Sequence, residues 1–263
     1  MSYNTLKFDV TDQVATITFA RPEAANSLSL EMSEELHAVA THCASNADIR
    51  AVLLTGEGKM FCAGGDVIGF HGQGDGMSEH MRGMTTTLHA AVSRFMRMDA
   101  PLIVAVNGTA AGAGMSLSLI GDIVFAAESA KFTMAYSKIG FSPDGSSTFF
   151  LPRLVGMRKA KELALLNPVL SAAQACDLGL VTEVVADDQL METAGACAAK
   201  LAQGPTKAHG EIKRLFADSL NNTLETQMEY ETRAIAGLAG STEDAKGGVA
   251  AFVAKEKYTF QGR

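Results

Sequence analysis

A chain of 263 residues with 47% hydrophobic and 19% charged residues holds enough apolar material for one large core, and this composition excludes a mainly disordered protein. The formal net charge of -7 offers no basic field to a phosphate backbone, which sets nucleic acid aside as a main partner and leaves room only for a local basic pocket. The four cysteines, Cys43, Cys62, Cys176 and Cys197, have no paired spacing, so neither a disulfide framework nor a zinc site is expected, and a reducing cytoplasm is the expected location. The first ten residues lack a basic stretch backed by an apolar run, and no apolar run reaches membrane-spanning length; export and membrane insertion are not expected.

Residues 6–9 and 14–19 are short β-prone runs separated by Thr11-Asp12-Gln13, which predicts an opening hairpin. From an N-cap at Ser29, the residues Met32, Leu36, Val39, Ala40 and Cys43 recur at helical spacing until Asn46. Residues 51–55 form a buried-type strand ending in Gly56-Glu57-Gly58, and the following Phe61-Cys62-Ala63-Gly64-Gly65-Asp66 is too glycine-rich for an element interior. A long helical stripe then runs from Met77 through Met81, Met84, Leu88, Ala91, Val92 and Phe95 to Met96, its methionines reading as core filler.

The pattern repeats. A strand at 102–106 leads through Asn107-Gly108 and Gly112-Ala113-Gly114 into a helix over 114–121. Strands are expected at 123–126 and 131–133, and Ser142-Pro143-Asp144-Gly145 marks a turn before 148–154. Beyond it the chain reads as mostly helical. A capping box at Ser171-Ala172-Ala173-Gln174 opens a short helix, 181–185 is the last strand, and Gly204-Pro205 separates two helices. The result is an α/β core of stacked sheets in residues 1–204, followed by a helical region in 205–263.

The two glycine-rich loops are the main chemical signal, because small residues let backbone N–H groups approach a ligand atom. Gly65 and Ala113 would supply such donors, the second aided by a helix start; tight packing turns are the alternative reading of each loop. There is no GxxxxGK[ST] and no complete GxGxxG, which removes the usual phosphate and dinucleotide signatures. The run Gly114-Met115-Ser116-Leu117-Ser118 nears a GxSxG nucleophile elbow, with Asp144 and His209 in the order a triad would need, but Ser118 replaces the second glycine. The six histidines show no HExxH or other short metal-ligand spacing, so no metal is expected. Cys62 beside the first loop reads as a small buried thiol, and Pro-Asp-Gly around Asp144 taken alone reads as an ordinary turn.

Four pieces in one order change the weight of these signals. They are Arg21-Pro22-Glu23-Ala24-Ala25-Asn26-Ser27-Leu28, then Phe61 to Asp66, then Val106-Asn107-Gly108 through Gly112-Ala113-Gly114, then Gly121-Asp122-Ile123. Together with Ser171-Ala172-Ala173-Gln174-Ala175, Gly179-Leu180-Val181 and the closing Phe252-Val253-Ala254-Lys255-Glu256-Lys257, they make the whole chain resemble the crotonase (enoyl-CoA hydratase/isomerase) superfamily.

The resemblance implies a spiral of ββα units, assembly as a homotrimer or homohexamer through the C-terminal helices, and an acyl-CoA substrate, with coenzyme A entering as part of that substrate and no separate cofactor. It places the oxyanion donors at Gly65 and Ala113, and the coenzyme A contacts at Ala24, Asn26, Ala63, Asp66, Val67 and Ile68. The two glutamates of the family's hydratases correspond here to Ser116 and Tyr136, neither of which is a carboxylate. That leaves Asp144, in Gly140-Phe141-Ser142-Pro143-Asp144-Gly145, as the one acid of the catalytic segment. The segment resembles the isomerase branch, including the epoxyphenylacetyl-CoA isomerases. The expected activity is therefore an enoyl-CoA isomerisation in which Asp144 moves the proton and Tyr136 shapes the pocket. Hydration, decarboxylation or C–C cleavage is the first alternative, and a non-catalytic acyl-CoA-binding subunit the second.

Overall fold

In the computed structural model, which describes residues 3–263, the opening hairpin is β1 (Leu6–Thr11) and β2 (Val14–Phe19), antiparallel with Leu6 opposite Phe19. The chain continues through α1 (Leu30–Ser45), β3 (Ala51–Gly56), β4 (Met60–Cys62), α2 (Val67–His71), α3 (Met77–Arg97), β5 (Leu102–Val106), β6 (Thr109–Ala111), α4 (Ala113–Ser118), β7 (Ile123–Ala127) and β8 (Lys131–Thr133). Its second half holds α5 (Ser147–Val155), α6 (Met157–Leu166), β9 (Leu170–Ser171), α7 (Ala172–Asp177), β10 (Glu183–Val185), α8 (Leu190–Ala202), α9 (Thr206–Ser219), α10 (Leu224–Ser241) and α11 (Glu243–Ala254).

Strands β1-β2-β3-β5-β7-β10 form one sheet and β4-β6-β8-β9 a second, smaller one. Apart from the pairs β1-β2 and β8-β9, neighbours run parallel. Three successive units send one strand to the large sheet and the next to the small sheet before a helix follows, so the chain winds as the expected spiral of ββα units. The sequences explain the layering: β5 is buried throughout and β3 in all but its last residue, which suits continuous apolar runs in a parallel sheet covered on both faces. By contrast β2 alternates, as a strand with one face on the core should. Helix α1 starts where Ser29 Oγ accepts the Met32 N–H at 3.1 Å, and α3 buries Met84, Leu88, Ala91, Val92 and Phe95 as one stripe.

Several boundaries differ from those the sequence predicts; β1, for example, runs on to Thr11 and β7 to Ala127. Residues 148–154 lie inside helix α5, and the helix expected over 114–121 begins one residue earlier and stops at Ser118. The last strand shrinks to three residues: Thr182 donates its N–H to Val124 O at 2.8 Å, but the return bond from the Val124 N–H goes to its side-chain Oγ1 at 3.1 Å, and the ladder begins at Glu183. None of the helices among the described residues is long and apolar enough to cross a membrane.

The C-terminal helices are fastened to the spiral by buried charge. Lys213 of α9, with 6% of its side chain exposed, places Nζ 2.8 Å from Asp122 Oδ2 and donates to the carbonyls of Phe95 (3.1 Å) and Ala100 (2.9 Å). The same Asp122 Oδ2 accepts the Leu102 N–H at 2.7 Å, so one carboxylate ties α9 to the start of β5. At the far end, Asp244 accepts the N–H groups of Gln261 (2.6 Å) and Gly262 (2.7 Å), while Arg50 donates to the carbonyls of Gly204 and Phe260. Removing one member of a buried ion pair strands the other, at a cost of about 3–5 kcal/mol. Asp122→Ala is therefore expected to lower stability by roughly that amount, read as a fall in the urea midpoint with little change in slope.

Candidate active site

Strand β4 ends at Cys62, and the chain then turns through Gly64, at φ +100°, into Gly65. Leu28 pairs with this segment as an isolated parallel bridge: its N–H donates to Gly64 O at 2.7 Å and its C=O accepts from Asp66 N at 2.9 Å. In a parallel bridge the residue flanked by both bonds turns its own polar groups the other way, so the Gly65 N–H points away from Leu28. The second loop reaches Ala113 through Gly112, at φ +53° and ψ -126°, a conformation that only glycine adopts readily. Ala113 is the first residue of α4, where a helix has no internal acceptor for an N–H. Among the described residues neither the Gly65 nor the Ala113 N–H finds an acceptor.

Close backbone contact holds the loops together. A Cβ on Gly64 would stand 3.4 Å from Ala113 N and from Gly112 Cα, and a Cβ on Gly114 would stand 2.1 Å from the Cys62 carbonyl oxygen. Both donors therefore border one cavity of about 480 Å³, with apolar walls from Val67, Phe70, Met81, Met84, Ile139 and Phe141. Thr85, Lys138 and Ser142 add polar points, and Asp144 is the one carboxylate in the lining.

Asp144 sits on a turn braced from three sides. Its carbonyl accepts from Ser147 Oγ at 2.8 Å, the Gly145 N–H donates to His89 Nε2 at 3.2 Å, and Gly145, at φ +59°, lies against Ser116 Cβ. The bond to Nε2 requires the His89 tautomer with its proton on Nδ1. Sequence reasoning missed His89, because a histidine 56 residues away carries no spacing signal toward a turn. Tyr136 OH lies 2.7 Å from Asp144 Oδ1 and 2.8 Å from Ser116 Oγ. Burial, and after it the Asp144 charge, pushes the Tyr136 phenol far above its ordinary value, so it remains a hydrogen-bond donor.

The other expected residues are placed as follows. Ala63 and Val67 border the cavity, whereas Ala24, Asn26, Asp66 and Ile68 do not. Asn26 is wholly buried, its Oδ1 accepting the Arg21 N–H and its Nδ2 donating to the carbonyls of Glu57 and Met60; its side chain is a strut between loops. Asp66 caps α2 through the Gly69 N–H at 3.0 Å and faces Arg21 Nη2 at 3.2 Å. Ile68 projects outward with 87% of its surface exposed. His209 packs on Gly204 and does not border the cavity, so no serine triad forms with Ser116 and Asp144. Burial pushes the Cys62 thiol up to about 12, which leaves it a packing residue. Among the described residues no three His, Cys, Asp or Glu side chains converge as metal ligands.

Paired N–H donors and a carboxylate bordering one mostly apolar cavity can hold an oxyanion while a neighbouring C–H exchanges its proton. A family model described as enoyl-CoA hydratase/isomerase matches residues 9–263. The chain belongs to this family, the crotonase superfamily of acyl-CoA enzymes. Among its relatives, a 1,2-epoxyphenylacetyl-CoA isomerase of Escherichia coli (strain K12) is 42% identical over 252 residues, 95% of each chain. A Rhodobacter capsulatus protein named "Probable enoyl-CoA hydratase" is 39% identical over 267 residues, 100% of each chain. A solved enoyl-CoA hydratase from Polaromonas sp. JS666 superposes at TM-score 0.92 with 31% identity, over 98% of this chain and 100% of that one.

In this family member the placement of the Ala113 donor depends on glycine at 114. Gly114→Ala should drive α4 off the Cys62 carbonyl, costing about 1–3 kcal/mol of stability. Turnover of an acyl-CoA substrate should fall further than the thermal shift accounts for, measured on protein kept well below its melting temperature.

Proposed function

We propose that the protein is an enoyl-CoA isomerase that moves a double bond along the acyl chain. The Gly65 and Ala113 N–H groups bind the thioester carbonyl oxygen and stabilise the enolate formed when the α-carbon loses its proton. Asp144 takes that proton and returns it to the γ-carbon. One carboxylate suffices for this shuttle, whereas hydration also needs a positioned water and a donor for its second proton. The observation that carries the reading is that the cavity's single carboxylate shares one lining with two N–H groups that have no acceptor among the described residues. Support also comes from Ser116 and Tyr136, which stand where the resemblance places the hydratase glutamates, and from the relative named 1,2-epoxyphenylacetyl-CoA isomerase.

The coenzyme A moiety is assigned to the segment carrying Ala63, Asp66, Val67 and Ile68 and to the turn bearing Ala24 and Asn26. With the Asn26 side chain fully bonded, contacts there come from the backbone. The C-terminal helices present Phe216, Leu220, Leu224, Ile235, Phe252 and Val253 largely exposed, the apolar surface that a homotrimer or homohexamer would cover.

The test is incubation with a 3-enoyl-CoA and, separately, a 2-enoyl-CoA, following double-bond position and water addition by mass spectrometry and absorbance. Conversion between the two esters without hydration is the expected result; hydration, or silence toward both, overturns the reading. Asp144→Asn should lower kcat by roughly 10²–10⁴-fold while the ester still binds. A 3-enoyl-CoA carrying deuterium at C2 should deliver part of its label to C4 in ordinary water, because a single carboxylate carries the proton between the two carbons. Complete washout of label together with full activity of Asp144→Asn would remove Asp144 from its role.

A further inference from the structure

We propose that Ser116 and Tyr136 are positioning residues that hold the Asp144 carboxylate in one rotamer and tie it to the oxyanion donor at Ala113. This rests on Asp144 being the acid and base of the proposed isomerisation.

Tyr136 has one hydroxyl proton and three oxygens within hydrogen-bond reach: Asp144 Oδ1 at 2.7 Å, Ser116 Oγ at 2.8 Å and, at the longer distance of 3.4 Å, the Asp144 carbonyl. An ionised carboxylate can only accept, so the phenol proton goes to Asp144. Ser116 must then be the donor in its bond to the Tyr136 oxygen. The direction of the chain is thereby settled: Ser116 to Tyr136 to Asp144. It occupies Oδ1, and among the described residues Oδ2 has no partner. Oδ2 is the oxygen left to take and return the substrate proton.

The origin of the chain matters as much as its end. Ser116 is fully buried in α4, the helix whose first residue, Ala113, supplies the oxyanion N–H. Its Oγ also lies 3.3 Å from the carbonyl of Gly112, the residue before that donor, a packing contact once the one Ser116 proton is given to Tyr136. One six-residue helix therefore fixes the oxyanion donor at its start and, one turn later, the hydroxyl that aims the base. The spacing between carbonyl oxygen and working carboxylate oxygen is set by a rigid element instead of by two loops moving separately. Gly145 against Ser116 Cβ brings the base-bearing turn onto the same residue.

The test combines Tyr136→Phe, Ser116→Ala and the double variant, each single change removing one oxygen. Tyr136→Phe should lower kcat about 10–100-fold with KM for the enoyl-CoA changed less than about threefold, a split that marks loss of positioning after binding. Ser116→Ala should lower kcat by a smaller factor, about 3–10-fold. The double variant should be no slower than Tyr136→Phe, because Ser116 acts through the tyrosine. Multiplying effects, or full kcat in Tyr136→Phe, overturn the inference. Asp144→Asn, run in parallel, separates the two levels: inactive Asp144→Asn beside fully active Tyr136→Phe sinks the positioning chain alone, while active Asp144→Asn sinks the isomerase reading. A crystal structure of Tyr136→Phe tests the chain independently of turnover. A rotated or split Asp144 carboxylate is expected, and an unmoved single rotamer counts against the proposal.

Discussion

The contact on which the site depends is backbone against backbone, where β6 and α4 press on β4. Gly108, just before β6, and Gly114, in the first turn of α4, each leave room for a carbonyl oxygen of the β4 segment. A Cβ on either would stand 2.1 Å from its oxygen, Lys59 O for Gly108 and Cys62 O for Gly114. Two glycines six residues apart thus seat a strand and a helix start on the neighbouring unit with no side chain between them. The Gly65 and Ala113 N–H groups come from different ββα units, and this seating brings them to one cavity. Without it they would be two unrelated turns.

The rest of the protein supports that seating. Buried strands of the large sheet supply a rigid floor, and α1 and α3 pack together outside it. Strut-like polar side chains hold the loops: Asn26 spans three backbone groups, and Asp66 both caps α2 and faces Arg21. The buried Asn26 side chain is stable only when fully bonded, which is why it specifies a single arrangement of the loops around it. The cavity itself is mostly apolar, so the backbone dipoles and the one carboxylate that border it have few polar side chains beside them.

Buried charge plays the matching role at the C-terminal end. Lys213 and Asp122 join α9 to the strand that begins the second ββα unit, and Asp244 with Arg50 secures the last residues. The helices so anchored still present large apolar side chains outward. A single copy of the chain leaves that surface uncovered.

Local signals in the sequence determined the order of elements, the hairpin, the two glycine loops, the capping box and the α/β class, because each depends on residues close along the chain. The ordered set of motifs singles out Gly65, Ala113 and Asp144, which lie in two glycine-rich loops and a turn. Tertiary structure alone decided which of the marked residues face a common space. Asn26 and Asp66 are turned into the scaffold and Ile68 is turned out to solvent, since the direction of a side chain depends on the partners that folding brings to it. The same holds for the chain from Ser116 through Tyr136 to Asp144 and for the His89 brace. These residues lie between 8 and 56 positions apart, and no local pattern encodes a hydrogen bond that exists only once a helix, a 3-10 turn and a loop meet.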